Sequence, residues 1–210
     1  NSAKISFCFI PQEITFAKYN YMNQFLIIQT AFIGDVILAT SVAEKLHSFY
    51  PNAKIDFLVR KGNEGLLESH PFIRNVFIWE KKNQESRIKY QVSKYINLLR
   101  LVRSVRSKQY DCVINLHRFL SSGFIAALSG AKNKYGFDKN PFSIFYTHIA
   151  KHEIGNGLHE VQRNQELIAP LTDDNYAKPV LYPSPKDFEN MKQFKTVGSR
   201  KSEDGRRQPA

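Results

Sequence analysis

Acidic and basic side chains stand at the ends of several apolar runs, where they could take part in chemistry. The first such segment is Thr30-Ala31-Phe32-Ile33-Gly34-Asp35, which follows an apolar run at the place where dinucleotide-binding folds carry a glycine-rich turn. It holds one glycine, and Phe32 and Ile33 occupy positions at which backbone amides would approach a pyrophosphate. The segment therefore does not predict a dinucleotide site, and its reactive group is the carboxylate of Asp35.

Asp35 has two interpretations. A carboxylate before an apolar periodic segment usually caps the helix that follows, because it accepts hydrogen bonds from free backbone amides. A carboxylate in a cleft can instead act as a general base that takes a proton from an attacking hydroxyl. The spacing by itself favours the cap, and both interpretations remain open on the residues alone.

Two basic pairs, Arg60-Lys61 and His117-Arg118, each follow a predicted parallel strand. This places them at the carboxyl edge of the sheet, where open α/β folds bind their ligands. A guanidinium there suits phosphate or carboxylate groups. Each residue taken singly is equally well explained as a solvated loop charge, but two pairs at one edge favour binding of an anionic ligand.

His159 and Arg163 lie four residues apart on a predicted helix, so the spacing predicts that they share one face. The residues alone favour a helix-surface pair without a ligand. Asp138 and His148 fall in a predicted loop after the fifth strand, and no role is predicted for them.

Short apolar runs alternate with segments of helical periodicity along most of the chain. Strands are predicted at 24–29, 54–59, 75–79, 110–116 and 134–137, and helices at 35–49, 64–69, 92–108, 121–129 and 159–168. This alternation is typical of βαβ units. It predicts an α/β fold, a Rossmann-like open and mainly parallel sheet with helices on both faces.

The chain is basic, with a formal net charge of +11. Nine bases lie between residues 81 and 109, against the single acid Glu85: Lys81, Lys82, Arg87, Lys89, Lys94, Arg100, Arg103, Arg106 and Lys108. Such a field favours an acidic partner, which could be nucleic acid, anionic lipid or a phosphorylated substrate. Specific nucleic-acid binding ranks last, because the sequence carries no helix-turn-helix, RNA-recognition, KH or zinc-finger signature.

The helix predicted at 92–108 lies within this basic region. Its apolar residues are predicted to form one core-facing stripe of Val92, Tyr95, Ile96, Leu99, Val102 and Val105. The bases lie mostly off that stripe. The favoured interpretation is an ordinary packed helix with a solvated face, and the alternative is docking on an anionic membrane leaflet.

Cysteine content and hydropathy exclude several classes of protein. Cys8 and Cys112 are too few for a disulfide framework and have no neighbours at metal-ligand spacing, so no metal site is predicted. No apolar run approaches the roughly 20 residues of a membrane-spanning helix. We expect a cytoplasmic protein.

The segment Leu26–Thr40, with Gly34-Asp35 as its most specific part, resembles the N-terminal signature of the heptosyltransferase-type glycosyltransferases of family 9. Further matching segments are Asn52–Val59, Tyr110–Arg118, Gly130-Ala131-Lys132 with Tyr135-Gly136-Phe137, and His159–Asn164. Together they span roughly residues 23–180.

This resemblance implies the N-terminal half of a GT-B architecture, whose first domain holds a lipid-linked acceptor, the lipopolysaccharide core. It implies an inverting transfer without metal or cofactor, with ADP-heptose as the expected donor on a second domain outside this chain. Asp35 is implied as the base. The acceptor-binding residues implied or predicted are Thr30, Gly34, Arg60, Lys61, His117, Arg118, His159 and Arg163.

The domain organisation follows from the same reading. Residues 1–22 are predicted to be a poorly ordered upstream extension, 23–180 the acceptor-binding domain, 181–197 the start of an interdomain linker, and 198–210 a disordered or out-of-frame tail. The fragment alone is expected to be inactive and to contact the anionic inner-membrane leaflet peripherally. The alternative is a free-standing binding module for a phosphorylated glycan or an anionic lipid.

Overall fold

The computed structural model describes residues 22–80, 89–153, 155 and 157–192, and for 89–94 the backbone alone. The strands are Gln24–Gln29 (β1), Lys54–Arg60 (β2), Ile73–Trp79 (β3), Cys112–Asn115 (β4), Asn133–Phe137 (β5) and His148–Ala150 (β6). The helices are Ile33–Phe49 (α1), Lys89–Ser107 (α2), Leu120–Leu128 (α3), Glu160–Glu166 (α4) and 185–192 (α5). The predictions for residues 1–21 and 193–210 lie outside the described residues.

The six strands form one parallel sheet in the order β3-β2-β1-β4-β5-β6. In the middle of the sheet, Ile27 of β1 pairs with Phe57 of β2 on one side and Ile114 of β4 on the other. The strand order reverses between β1 and β4. Loops that leave these two strands turn to opposite sides, which opens a crevice at their carboxyl ends.

Helices cover both faces of the sheet, as predicted. Phe25 and Ile27 of β1 belong to the core layer beneath α1, whereas Leu26 and Ile28 belong to the layer beneath α2 and α3. Because successive side chains of a strand point to opposite faces, a strand buried on both sides has the continuous apolar sequence seen in β1. The predicted Rossmann-like open sheet is confirmed.

Several local predictions were wrong. His148–Ala150 form the edge strand β6 beside β5, where a loop was predicted, because three residues are too few to show a strand's periodicity. Residues Glu64–Leu66 form a single 3-10 turn rather than a helix. α4 ends at Glu166, two residues before the predicted end, and a separate 3-10 turn, Ala169–Leu171, contains Pro170.

The predicted core stripe of α2 was wrong in part. Val102 and Val105 are buried, and Leu98 and Leu101 pack against the same layer. The remaining predicted residues are exposed, at 59% for Tyr95, 42% for Ile96 and 56% for Leu99, and the Val92 side chain lies outside the described residues. The apolar residues of this helix fit two neighbouring faces, and only packing on the sheet selects one.

The chain beyond α4 runs back along α1. The buried Lys45 ammonium donates to the carbonyl oxygens of Asp173 and Asn175 at 2.5 and 2.6 Å, and Tyr182 donates its hydroxyl hydrogen to Glu44 at 3.0 Å. These bonds hold an extended segment against the first helix. The division of the chain at residue 180 stays a prediction.

A buried carboxylate ties β2 and β3 to the segment before β4, beneath α2. Asp56 of β2 accepts two hydrogen bonds from the Arg74 guanidinium, at 2.9 and 2.6 Å, and others from Asn75 and the Tyr110 hydroxyl. Burial alone would raise the pKa of Asp56, but these hydrogen bonds outweigh burial and hold its pKa below the ordinary value.

Across the described ranges, no helix is long and apolar enough to cross a membrane.

Candidate active site

A cleft of about 670 Å³ opens at the carboxyl ends of β1, β2, β3 and β4. It lies where the strand order reverses, which is the position at which open α/β sheets bind ligands. Five of the predicted site residues line it: Thr30, Asp35, Arg60, His117 and Arg118.

Asp35 occupies the first turn of α1 and faces this cleft. The N-cap residue of α1 is Phe32, whose side chain cannot accept a hydrogen bond. Its backbone amide donates to Asp35 Oδ2 at 3.1 Å. No described residue donates to the second oxygen, Oδ1. The two interpretations of Asp35 are therefore compatible, because one oxygen stabilises the helix start and the other is free to accept a proton.

Thr30 and His117 join the ends of β1 and β4 across the cleft floor. Thr30 Oγ1 lies 2.8 Å from His117 Nδ1, and the His117 backbone amide donates to Asn115 Oδ1 at 3.1 Å. The direction of the side-chain bond depends on the imidazole tautomer. In either tautomer, Thr30 fixes the ring's orientation and leaves Nε2 as its second polar atom.

Arg60 and Arg118 supply positive charge to the cleft. Arg60 ends β2 and is half-buried, whereas Arg118 follows β4 and is exposed, with its guanidinium carbon 5.9 Å from the centroid of the Phe119 ring. Neither guanidinium forms an ion pair with any described carboxylate. Their charge is therefore available to an anionic ligand.

The other predicted site residues lie outside the cleft lining. Lys61 pairs with Glu80 at 2.6 Å, a hydrogen bond that raises the pKa of Lys61. Gly34 is exposed beside Asp35, and a side-chain methyl added there would meet no atom within 4 Å. The turn therefore does not need glycine for its own conformation.

His159 and Arg163 have local structural partners. His159 is the N-cap of α4, where its Nδ1 accepts the Val161 amide at 3.3 Å, so it precedes the helix instead of sharing a face with Arg163. The Arg163 guanidinium binds the Glu160 carboxylate and the Leu158 carbonyl. Glu160, rather than Arg163, lines the cleft.

Sequence reasoning missed several cleft residues. Gln29 is only 2% exposed, lines the cleft, and its Oε1 has no hydrogen-bond partner in the described part of the chain. Trp79, the last residue of β3, contributes an indole wall. Both end a predicted strand at the carboxyl edge, a signal that could have identified them. His152 was missed with β6, and its backbone amide is held by Asp138 Oδ1 at 2.9 Å.

These groups can bind and activate a polar, anionic ligand. A free carboxylate oxygen could accept a proton, two guanidiniums could hold phosphate or carboxylate, and a buried carboxamide could bind a hydroxyl. Within residues 22–80, 89–153 and 157–192, no group of three or more His, Cys, Asp or Glu side chains is placed to hold a metal ion.

The chain is similar in sequence to curated enzymes of lipopolysaccharide synthesis. It is 29% identical over 153 residues to lipopolysaccharide heptosyltransferase 3 of Escherichia coli, covering 70% of this chain and 42% of that protein. It is 26% identical over 122 residues to lipopolysaccharide heptosyltransferase 1 of Campylobacter coli, covering 58% of this chain and 33% of that protein. The chain thus spans less than half the length of these relatives.

Solved structures show the same fold at lower identity. The glycosyl transferase family 9 protein of Veillonella parvula superposes with a TM-score of 0.72 at 20% identity, covering 85% of this chain and 50% of its own. The ADP-heptose lipopolysaccharide heptosyltransferase II of Escherichia coli gives a TM-score of 0.63 at 18% identity, covering 81% and 50%. The present chain therefore corresponds to one half of each of these proteins.

The sequence model of glycosyltransferase family 9 (heptosyltransferase) matches residues 98–203, which is half of the chain. The matched range begins in α2, so it does not include Asp35, whose role has to be argued from geometry. The range includes β4 and the residues His117 and Arg118 that follow it and line the cleft, together with β5, β6 and α4. By this match, and in agreement with the fold and the relatives, the chain belongs to glycosyltransferase family 9.

Proposed function

We propose that this chain is the acceptor-binding half of an inverting glycosyltransferase, which transfers a sugar, heptose, from ADP-heptose to a lipid-linked acceptor, the lipopolysaccharide core. The observation that carries the proposal is Asp35, which lines the cleft with one carboxylate oxygen bound to the Phe32 amide and the other unpaired. The names of the relatives supply the sugar and the acceptor. Donor binding is assigned to the part of the protein outside this chain.

In the proposed reaction, Asp35 accepts the proton of an acceptor hydroxyl. The hydroxyl oxygen forms a bond to the anomeric carbon of the donor from the face opposite the leaving group, and the bond to the nucleoside diphosphate breaks. This single displacement inverts the anomeric centre. Proton transfer to Asp35 is concerted with attack of the hydroxyl oxygen on the anomeric carbon.

The other cleft residues would bind and orient the acceptor. Arg60 and Arg118 would hold its phosphate or carboxylate groups, since neither is neutralised by a described carboxylate. Thr30 would set the His117 ring, and the orphan Oε1 of Gln29 would accept a hydrogen bond from a sugar hydroxyl. Gly34 would leave room for the acceptor beside Asp35.

Lys61, His159 and Arg163 have other partners in the fold, so we limit the proposed acceptor site to the residues that line the cleft and to Gly34 beside Asp35. A lipid-linked acceptor also implies that the enzyme works at a membrane surface, on the cytoplasmic side where a nucleotide sugar is available. Weak peripheral contact with that surface is part of the proposal.

The experiment uses the full-length protein that contains this chain. Release of ADP from ADP-heptose is measured with a lipopolysaccharide core acceptor, and acceptor binding is measured separately. Asp35→Asn retains an oxygen that can accept the Phe32 amide but is not a base, so we expect transfer to fall about 10²- to 10⁴-fold with binding kept. Asp174→Asn, at an exposed carboxylate outside the cleft, is the matched control.

Transfer by Asp35→Asn within threefold of wild type would refute the role of Asp35. Absence of any transfer by the wild-type full-length protein, with acceptor binding retained, would instead support the binding module for a phosphorylated glycan or anionic lipid. That alternative is supported by one observation, that Arg60 and Arg118 line the cleft without an ion pair to any described carboxylate. Binding would then need no second domain.

A further inference from the structure

The helix α2 carries an exposed face that lies off its packed stripe and contacts the rest of the fold through the Arg106 stem, beside Gly130. Six of its exposed residues form this face, which we call the α2 outer face: Tyr95, Ile96, Leu99, Arg100, Arg103 and Arg106. Of the three apolar members, Tyr95 and Leu99 are more than half exposed and Ile96 is 42% exposed. Exposure of three such side chains on one helix exceeds what isolated surface apolar residues explain.

Helix geometry separates this face from the packed one. With about 100° of rotation per residue, the packed residues Leu98, Leu101, Val102 and Val105 centre on one direction. The outer face, from Tyr95 through Leu99 to Arg103 and Arg106, centres about a third of a turn away. The helix therefore carries two stripes with apolar residues, one that packs on the core and a second, mixed apolar and basic, that faces solvent.

The chain path places the apolar end of this face beside the cleft. β3 ends at Trp79, which lines the cleft at the carboxyl ends of the strands, whereas β4 begins at their amino ends. The helix α2 between them therefore starts at the cleft edge and runs away from it. Its 19 residues span about 28 Å, against about 20 Å for a six-residue strand. Val102 and Val105 pack its later turns on the sheet, so the additional length of the helix lies at the cleft edge.

The basic part of the face is uncompensated. Arg100, Arg103 and Arg106 are exposed, and none of them forms an ion pair among residues 89–153 or the other described ranges. Arginine stems can lie along an apolar boundary while the guanidinium reaches anionic headgroups. A tyrosine suits the same boundary because its ring is apolar and its hydroxyl polar.

We propose that the α2 outer face docks the protein on an anionic lipid bilayer, with the cleft edge at the headgroup level. Tyr95, Ile96 and Leu99 would enter the boundary between headgroups and acyl chains, and the arginines would bind the headgroup phosphates. This inference rests on the proposed function in one respect, namely that a lipid-linked acceptor gives docking a purpose. It names the surface and the lipid charge that the function itself leaves open.

The composition of the face favours lipid over other anionic partners. A nucleic acid would bind basic and aromatic side chains, but aliphatic side chains such as Ile96 and Leu99 are not stabilised by contact with a phosphate backbone. The boundary of an anionic bilayer binds both the apolar and the basic side chains of the face. A second copy of the chain would cover the apolar residues, but its own net charge of +11 would bring like charge towards the three arginines.

The test is cosedimentation of the whole 210-residue chain with two sets of vesicles, one of phosphatidylethanolamine with phosphatidylglycerol and one of phosphatidylcholine. We expect binding to the anionic vesicles alone. The triple change R100Q/R103Q/R106Q should weaken it on the order of a hundredfold, since each base near an anionic surface contributes roughly fivefold. Y95S/L99S should weaken it about tenfold or more at any salt concentration, because apolar insertion is not screened.

Matched controls lie elsewhere on the surface. K132Q/K139Q/K151Q removes three exposed charges outside α2, and I144S/F145S removes two exposed apolar side chains; both should bind vesicles within threefold of wild type. All changes are at exposed positions, and circular dichroism verifies the fold of each variant. Equal loss in a control and its partner variant would overturn the proposal, and so would equal binding to both vesicle types.

Two further results separate this inference from its alternatives. If Y95S/L99S abolishes a dimer seen in size-exclusion chromatography without vesicles and leaves vesicle binding intact, the face belongs to a second copy and the proposal is wrong. Transfer by the full-length protein to a delipidated core acceptor, measured in parallel, tests the function alone. Transfer with no vesicle binding would refute docking, whereas vesicle binding with no transfer would refute the proposed function.

Discussion

Thr30 Oγ1 and His117 Nδ1 lie 2.8 Å apart, which joins residues 87 positions distant in sequence at the point where the strand order reverses. The bond exists because β1 and β4 are neighbours in register, with Ile28 beside Asn115. It sets the orientation of an imidazole that lines the cleft. A hydroxyl at the end of β1 therefore positions a side chain at the end of β4.

Replacing Thr30 with valine removes this bond and preserves the side-chain shape. We expect the free energy of unfolding to fall by about 1 kcal/mol and kcat/KM for the acceptor to fall about tenfold, because the His117 ring loses its fixed orientation. Thr172→Val, which removes a hydroxyl bonded to Ile168 outside the cleft, should cost similar stability and leave kcat/KM unchanged. Equal kinetic loss in both variants would contradict the positioning role.

Gly34→Ala separates stability from function at the helix start. Because Gly34 has an ordinary backbone conformation and nothing lies within 4 Å of an added methyl, alanine should raise the free energy of unfolding by up to about 1 kcal/mol. The same methyl should raise KM for the acceptor if the acceptor passes beside Asp35. Denaturant unfolding and ADP release measure the two effects, and a stabilised variant with unchanged KM would remove Gly34 from the acceptor site.

The buried Asp56 network should dominate the stability of the β2 and β3 edge. Asp56→Ala leaves the buried Tyr110 hydroxyl without its acceptor, whereas the Arg74 guanidinium, a third exposed, can be solvated, so we expect a loss of about 1–3 kcal/mol in the free energy of unfolding. The double change D56L/R74M replaces the pair by apolar groups and should recover part of that loss. Chemical denaturation measures both, and a larger loss in the double variant would contradict this account.

Stability should fall in mild acid because of His70. Burial, and then the neighbouring His47, lower the pKa of His70 to about 4, against an ordinary value of 6.5. The unfolded chain therefore binds the proton first, so stability is fully present above pH 6.5 and is lost as the pH falls from 6.5 to about 4. The loss is at most about 3 kcal/mol, because Glu44 Oε1, 3.3 Å from Nε2, opposes part of it.

This pH dependence can be assigned by comparison with His70→Gln, which cannot titrate. The variant should show a flatter stability profile over that pH range, and a proton-resonance titration of His70 should give a midpoint well below 6.5. His148, whose pKa is also lowered by burial, contributes to the remaining slope. An unchanged profile in His70→Gln would assign the acid sensitivity elsewhere.

The sequence by itself determined the alternation of strands and helices, and with it the edge at which chemistry is concentrated. Because parallel strands all end at one edge, Asp35, Arg60 and Arg118 could be placed together without knowing the strand order. The open sheet was predicted from this alternation, and the family resemblance was identified from short local segments. Short-range periodicity is sufficient for such features.

Only the tertiary structure decided which side chains are free and which are paired. Lys61 and Arg163 were predicted to bind the acceptor, but they form ion pairs with Glu80 and Glu160. The sequence pattern does not report the distances between these charged groups. The packed face of α2 was decided in the same way, since a helix with two apolar stripes fits the sheet with only one. The physical reason is that periodicity reports the local conformation of the backbone, whereas burial and ion pairing depend on what the rest of the chain brings near.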